Sequence, residues 1–182
     1  LAYYTFHRKE DVSKLLIISP LNAFPAWEED TMKCLGEDKK VLRLRGEIEE
    51  LQEILSTDNE FFIINYESLF SERKLELLRD FFSSYPESTL ILDESHRSKG
   101  EKISERLKKI SQFPKRKLIL TGTPMPQSPK DLESQFSFLY PLHSIIEEER
   151  FIEEFQPFYI RTNDKDLGLK PLIEESTHVK PY

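Results

Sequence analysis

Five short apolar runs, each set off from the next by a stretch with helical spacing, constrain this chain more than any other feature. They are LLIIS (15–19), VLRL (41–44), FFIIN (61–65), TLILD (89–93) and KLILT (117–121). Three are near-continuous rather than alternating, as strands buried on both faces of a parallel sheet require. Between them lie PAWEEDTMKCL, with Pro25 where a first helical turn tolerates it, and EIEELQEIL. SERKLELLRDFFSSY follows with Leu75, Leu78 and Phe82 on one face, then KISERLKKI with Ile103, Leu107 and Ile110 on one face. Strand and helix alternating at this pitch predict an α/β fold with right-handed crossovers.

Composition sets outer limits. The 182 residues suffice for one domain with a core, and the net charge of -7 gives no global pull toward nucleic acid or anionic membrane. Any nucleic-acid contact has to be local. One cysteine, Cys34, permits no internal disulfide, and no Cys/His spacing suggests zinc. No apolar run approaches the roughly 20 residues that span a bilayer, and LAYYTFHRKED has no signal-peptide layout. An intracellular protein is expected, cytoplasmic and nucleoid-associated in a prokaryote, nuclear in a eukaryote. The chain opens without methionine in what reads as mid-helix, as an excised piece would.

In parallel α/β sheets, ligands bind at the carboxyl ends of the strands. Here those ends carry Ser19-Pro20, Asn65-Tyr66-Glu67, Asp93-Glu94 and Thr121-Gly122-Thr123-Pro124. An Asp ending a buried strand suits Mg²⁺, held through water, while the metal also takes nucleotide phosphate oxygens. A neighbouring Glu can then orient or deprotonate an attacking water. Asp93-Glu94 fits that Walker B division of labour, and a cation explains how two adjacent carboxylates are tolerated. His96 is placed to bond the Thr121 or Thr123 hydroxyl. Gly122 allows a tight turn, with Pro124, Pro126 and Pro129 stiffening the exit. Lys99, Lys115, Arg116 and Lys117 are candidates for lining a nucleic-acid path. Trp27 reads as core packing or a helix staple.

LLIISPLNAFPAWEED, FIINYES, LILDESHRSKG and LILTGTPMPQSPKDLESQFSFLYP resemble, in order and spacing, motifs Ia, Ib, II and III of the Swi/Snf-family DNA translocases. These are superfamily 2 helicase-like ATPases, and the likeness runs from residue 1 to about 161. It implies a three-layer RecA-like first lobe over residues 1–157, without the phosphate-loop strand, and an exit segment, 158–182, toward a second RecA-like lobe. It also implies an ATP hydrolase that uses ATP and Mg²⁺ to move on double-stranded DNA. Asp93 and Glu94 would do the magnesium and water work. His96, Thr121, Gly122 and Thr123 would couple nucleotide state to DNA, and Pro20, Asn22, Asn65 and Tyr66 would lie near one strand's phosphates.

The sequence departs from that family pattern in places. Ser95 stands where Ala or Gly is usual, and Met125-Pro126-Gln127 replaces Leu-Gln-Asn. The short stretch 141–158 suggests a compact bacterial, archaeal or phage-type member. No G-x-x-x-x-G-K-[ST] occurs in these residues, so the phosphate loop is expected upstream and the isolated chain is expected to be inactive. A catalytically dead RecA-like module that binds DNA or protein is the competing reading. A metal-dependent nuclease is disfavoured because the Asp…Glu-x-Lys spacing is absent.

Overall fold

The computed structural model describes residues 14–122 and 131–142. All five apolar runs are strands: β1 (Leu15–Ile18), β2 (Val41–Arg43), β3 (Phe61–Ile64), β4 (Thr89–Asp93) and β5 (Arg116–Leu120). They form one sheet in the order β2-β3-β1-β4-β5, and every pairing is parallel. β3, β1 and β4 lie at its centre. Both faces of all three are buried up to Leu92, which accounts for their unbroken apolar runs. β5, at one edge, is only half-buried.

The helices are α1 (Phe24–Leu35), α2 (Ile48–Ser56), α3 (Glu72–Ser84), α4 (Glu101–Ile110) and α5 (Asp131–Leu139). Each of the four anticipated helical stretches is helical, and Leu75, Leu78, Phe82, Ile103, Leu107 and Ile110 are all buried. α5 is a helix that the apolar spacing does not single out. Local chemistry sets the starts. Pro25 lies in the first turn of α1. α2 opens on a capping box between Glu47 and Glu50, preceded by Gly46 at φ +100°, where a Cβ would fall 1.5 Å from a Glu50 carboxylate oxygen. Ser71 caps α3 by accepting from the Lys74 N–H.

Strand residues divide by parity. Leu16, Ile18, Phe62, Ile64, Leu90 and Leu92 pack with residues of α2, α3, α4 and α5. Leu15, Ile17, Phe61, Ile63 and Ile91 pack with Phe24, Trp27 and Leu35 of α1. Helices therefore cover both faces, giving three layers. The first core cluster is the larger, with Phe62 and Phe81 edge-to-face at 5.5 Å.

Arg43, ending β2, holds Glu28 of α1 through two charge-assisted bonds of 2.5 and 2.6 Å. Those bonds are the main reason the Glu28 carboxyl sits below its ordinary range. A carboxyl whose folded pKa is depressed adds stability above its unfolded pKa of about 4.3 and loses it as pH falls through the folded value. Glu28→Gln is expected to lower the melting temperature near pH 7, with the gap to the unsubstituted chain closing below about pH 4. Melts at several pH values check this.

The boundary between 157 and 158, and residues 123–130 with Thr123 among them, lie outside the described residues.

Candidate nucleotide and nucleic-acid site

The chain leaves β1 for β2 and β3 on one side of the sheet, then crosses to β4 on the other. The carboxyl ends of β1 and β4 are thus a topological switch point, where open α/β sheets form their crevice. Asp93 ends β4 there, and Ser19 follows β1. The buried Ser19 Oγ donates to Asp93 Oδ2 at 2.8 Å. Beyond Ser19 the chain passes through Pro20 and a 3₁₀ turn, Leu21–Ala23, into α1. The first turns of α1 bring Trp27 back over the edge, and its Nε1–H donates to the same Oδ2, also at 2.8 Å. No described residue donates to Oδ1.

Tyr66 supports Asp93 from beneath. Its hydroxyl donates to the Asp93 main-chain carbonyl at 2.7 Å, and the residue is buried. Burial, then the nearby Asp93 carboxylate, pushes the phenol far above its ordinary range, so it remains a donor. The family resemblance puts Tyr66 beside nucleic-acid phosphates. In the structure Tyr66 opens the 3₁₀ turn Tyr66–Phe70, is buried, and props the Asp93 carbonyl.

Glu94 has φ +50° and ψ +51°, the sole left-handed non-glycine among the described residues. An L-residue there carries a strain of roughly 1–2 kcal/mol, of the kind that collects at functional sites. The bend ends the strand and starts a 3₁₀ turn, Ser95–Lys99. It leaves the Glu94 side chain 44% exposed, and His96 Nδ1 lies 3.2 Å from Glu94 Oε2. His96 is therefore placed against Glu94 itself. Thr121 and Gly122 follow Leu120, which is paired with Asp93, so they stand at the same edge. Gly122 has no positive φ, and a Cβ built on it meets nothing within 4 Å among the described residues.

Ser95 and Ser98 are fully buried. Ser98 Oγ lies 3.3 Å from Ser134 Oγ, tying the turn after Glu94 to α5. Among the described residues Ser95 Oγ has no hydrogen-bond partner. Full burial leaves room only for a small side chain here. Ser95→Ala is expected to raise stability by about 1 kcal/mol, since it removes a desolvated polar atom without orphaning another. A urea titration measures it.

The other surface candidates separate. Asn22 is exposed on its turn, whereas Pro20 is buried. The Asn65 amide donates to Glu67 Oε2 at 2.8 Å and accepts from Ser68 Oγ at 2.5 Å. These bonds brace the turn that follows β3. Lys115, Arg116 and Lys117 lie at the wrong end of the sheet. β5 runs parallel to β4, with Arg116 opposite Thr89 and Leu120 opposite Asp93, so its basic start is remote from the Asp93 edge. Lys115 and Arg116 pair with Glu87, and Lys117 donates to the Ser111 carbonyl.

The cluster at the switch point thus has one carboxylate with a pinned and an open oxygen, and a second on a strained turn. Residues 1–177 match the family model for the SNF2-related domain. The chain belongs to that family. Among SNF2-related relatives, the mouse (Mus musculus) DNA repair and recombination protein RAD54B is 28% identical over 134 residues. That match takes in 73% of this chain and 14% of RAD54B. The mouse chromodomain-helicase-DNA-binding protein 1-like is 26% identical across the whole of this chain and 19% of its own length. The Sulfolobus solfataricus SWI2/SNF2 ATPase core in complex with dsDNA superimposes with a TM-score of 0.71 at 20% identity. It covers 92% of this chain and 37% of that one. The SNF2 ATPase-core fold is thereby established, and the chain spans under a fifth of the length of these curated relatives.

Sequence reasoning missed Trp27 and Ser19 as partners of Asp93. The signal available was Trp27 itself, whose indole N–H needs an acceptor wherever the ring is half-buried.

Proposed function

We propose that the chain is the core of the first RecA-like lobe of a DNA-dependent ATPase that translocates on duplex DNA. Residues 1–157 would belong to the lobe and 158–182 would lead toward a second one. The observation that carries the reading is the pair at the end of β4. Asp93 is held by Ser19, Trp27 and Tyr66, and next to it Glu94 is presented on a strained left-handed turn. Solvated carboxylates at an ordinary strand end need neither feature. Family membership supports nucleotide use, and the dsDNA in complex with the Sulfolobus ATPase core supports the track.

The donor set suits magnesium. Among the described residues no cluster of three or more His, Cys, Asp and Glu side chains could enclose a metal. Mg²⁺ asks for less, one or two carboxylates with phosphate oxygens and retained waters, and Asp93 Oδ1 is open for that. When bound, Mg²⁺ would neutralise charge on the phosphates of ATP. Glu94 would accept a proton from the attacking water at a carboxylate oxygen, with His96 Nδ1 orienting that carboxylate. Thr121, Gly122 and Thr123 would be the coupling segment, with Pro20, Asn22, Asn65 and Tyr66 on the nucleic-acid side. Such an enzyme works where DNA is, in the nucleoid or the nucleus. Among the described residues no helix is long and apolar enough to cross a membrane.

The test is phosphate release by the full-length protein that carries this chain, with and without duplex DNA, against its Asp93→Asn variant. Turnover stimulated by DNA, with a shifted magnesium dependence and reduced rate in the variant, is expected. Equal turnover in both proteins overturns the reading.

A further inference from the structure

The two donors on Asp93 Oδ2 come from the two ends of one segment. Ser19 closes β1 and Trp27 lies in α1, and between them the turn Leu21–Ala23 has no buried residue, with Leu21 63% exposed. An exposed loop is thereby strapped at both ends to a single carboxylate oxygen. Trp27 packs with Leu15, Ile17 and Phe24 on the smaller core face, a task that any aromatic side chain could perform. What a phenylalanine could not supply is the indole N–H, and that N–H goes to Asp93.

A carboxylate with one free torsion and one donor can still swing. With two donors converging on Oδ2 from different elements, the plane of the group is fixed, and Oδ1 is left without a donor among the described residues. Groups that bind the ligating side chain rather than the ligand set metal affinity in this way, and their loss typically costs about 10–100-fold. We propose that Trp27 is a positioning residue for Asp93, fixing its carboxylate through Nε1–H and tying the 20–23 loop to it. The proposal rests on the ATPase reading above and assigns Trp27 a role beyond packing.

Two measurements test it. Trp27 is the sole tryptophan of the 182 residues, so its indole N–H resonance in this chain needs no further assignment. The resonance is expected to shift and exchange faster with water in Asp93→Ala, while the remaining backbone resonances show the chain still folded. An indole resonance indifferent to Asp93→Ala overturns the proposal.

In the full-length protein, Trp27→Phe keeps an aromatic filler and deletes the donor. It is expected to raise the magnesium needed for half-maximal turnover about tenfold and to leave nucleotide affinity without metal unchanged. The penalty should grow in a Ser19→Ala background, where Trp27 is the last donor on Oδ2, whereas simple packing would give additive effects. An unaltered magnesium midpoint for Trp27→Phe, or strict additivity, also overturns the proposal. Failure of the ATPase reading looks different: there Glu94→Gln leaves turnover untouched, whatever the indole resonance reports.

Discussion

Glu94→Gln is expected to lower kcat of the full-length protein by about 10²–10⁴-fold, the usual worth of a positioned general base, while the affinity for nucleotide stays close to that of the unsubstituted enzyme. The amide keeps the shape and the left-handed backbone but cannot take a proton. A loss confined to kcat marks an interaction made only in the transition state. Glu94→Gly separates chemistry from strain. It should cost the same turnover and raise the melting temperature, because glycine adopts φ +50° without the roughly 1–2 kcal/mol penalty of a side chain there. Steady-state kinetics, nucleotide binding and thermal melts on the three proteins check the pattern. A Glu94→Gln enzyme with normal turnover would mean that the strained turn serves some purpose other than catalysis.

The strands and four of the helices were legible because burial on both faces leaves nothing but apolar residues, and because helix faces repeat at fixed spacing. The edge of the sheet that carries the polar residues was legible too, since parallel strands put all their carboxyl ends on one side. Three things were not. A basic residue beside a strand looks the same at either end until the strand's direction is used, and Arg116 and Lys117 begin β5 rather than end it. Tyr66 and Asn65 follow a strand that ends at the site, but the bonds they make, Tyr66 to the Asp93 carbonyl and Asn65 to Glu67, depend on the 3₁₀ turn that follows β3 and are encoded by no spacing rule. The bond from Trp27 to Asp93 joins residues 66 apart in sequence. It depends on the angle at which α1 leaves the loop, which emerges only from packing against Leu15 and Ile17.

Phe62→Ala is expected to destabilise the chain by about 3–5 kcal/mol, the range for a large buried aromatic truncated in a core that relaxes only partly. Phe62 sits in the second position of β3, between Leu42 of β2 and Leu16 of β1, with no exposed surface. Its ring meets Phe81 of α3 edge-to-face, a pairing that adds about 0.5–1.5 kcal/mol beyond its buried area. The Lys14 ammonium lies 5.8 Å from the ring centre and donates to the carbonyls of Thr57 and Asn59, so the same ring supports the loop that leads into β3. A domain's net stability is only about 5–15 kcal/mol, so this one change removes a large part of it. Phe62→Leu keeps most of the volume and should cost much less. The effect reaches the site because β3 delivers Tyr66 to the Asp93 carbonyl. In the full-length protein, Phe62→Ala should therefore lose turnover on warming well before Phe62→Leu does, while Ser95→Ala, closer to the chemistry, loses none. Urea midpoints and the temperature dependence of turnover measure both. A Phe62→Ala penalty under about 1 kcal/mol, well short of the usual cost of such a truncation, would show that the sheet's helix-covered face is not the core on which the site is built.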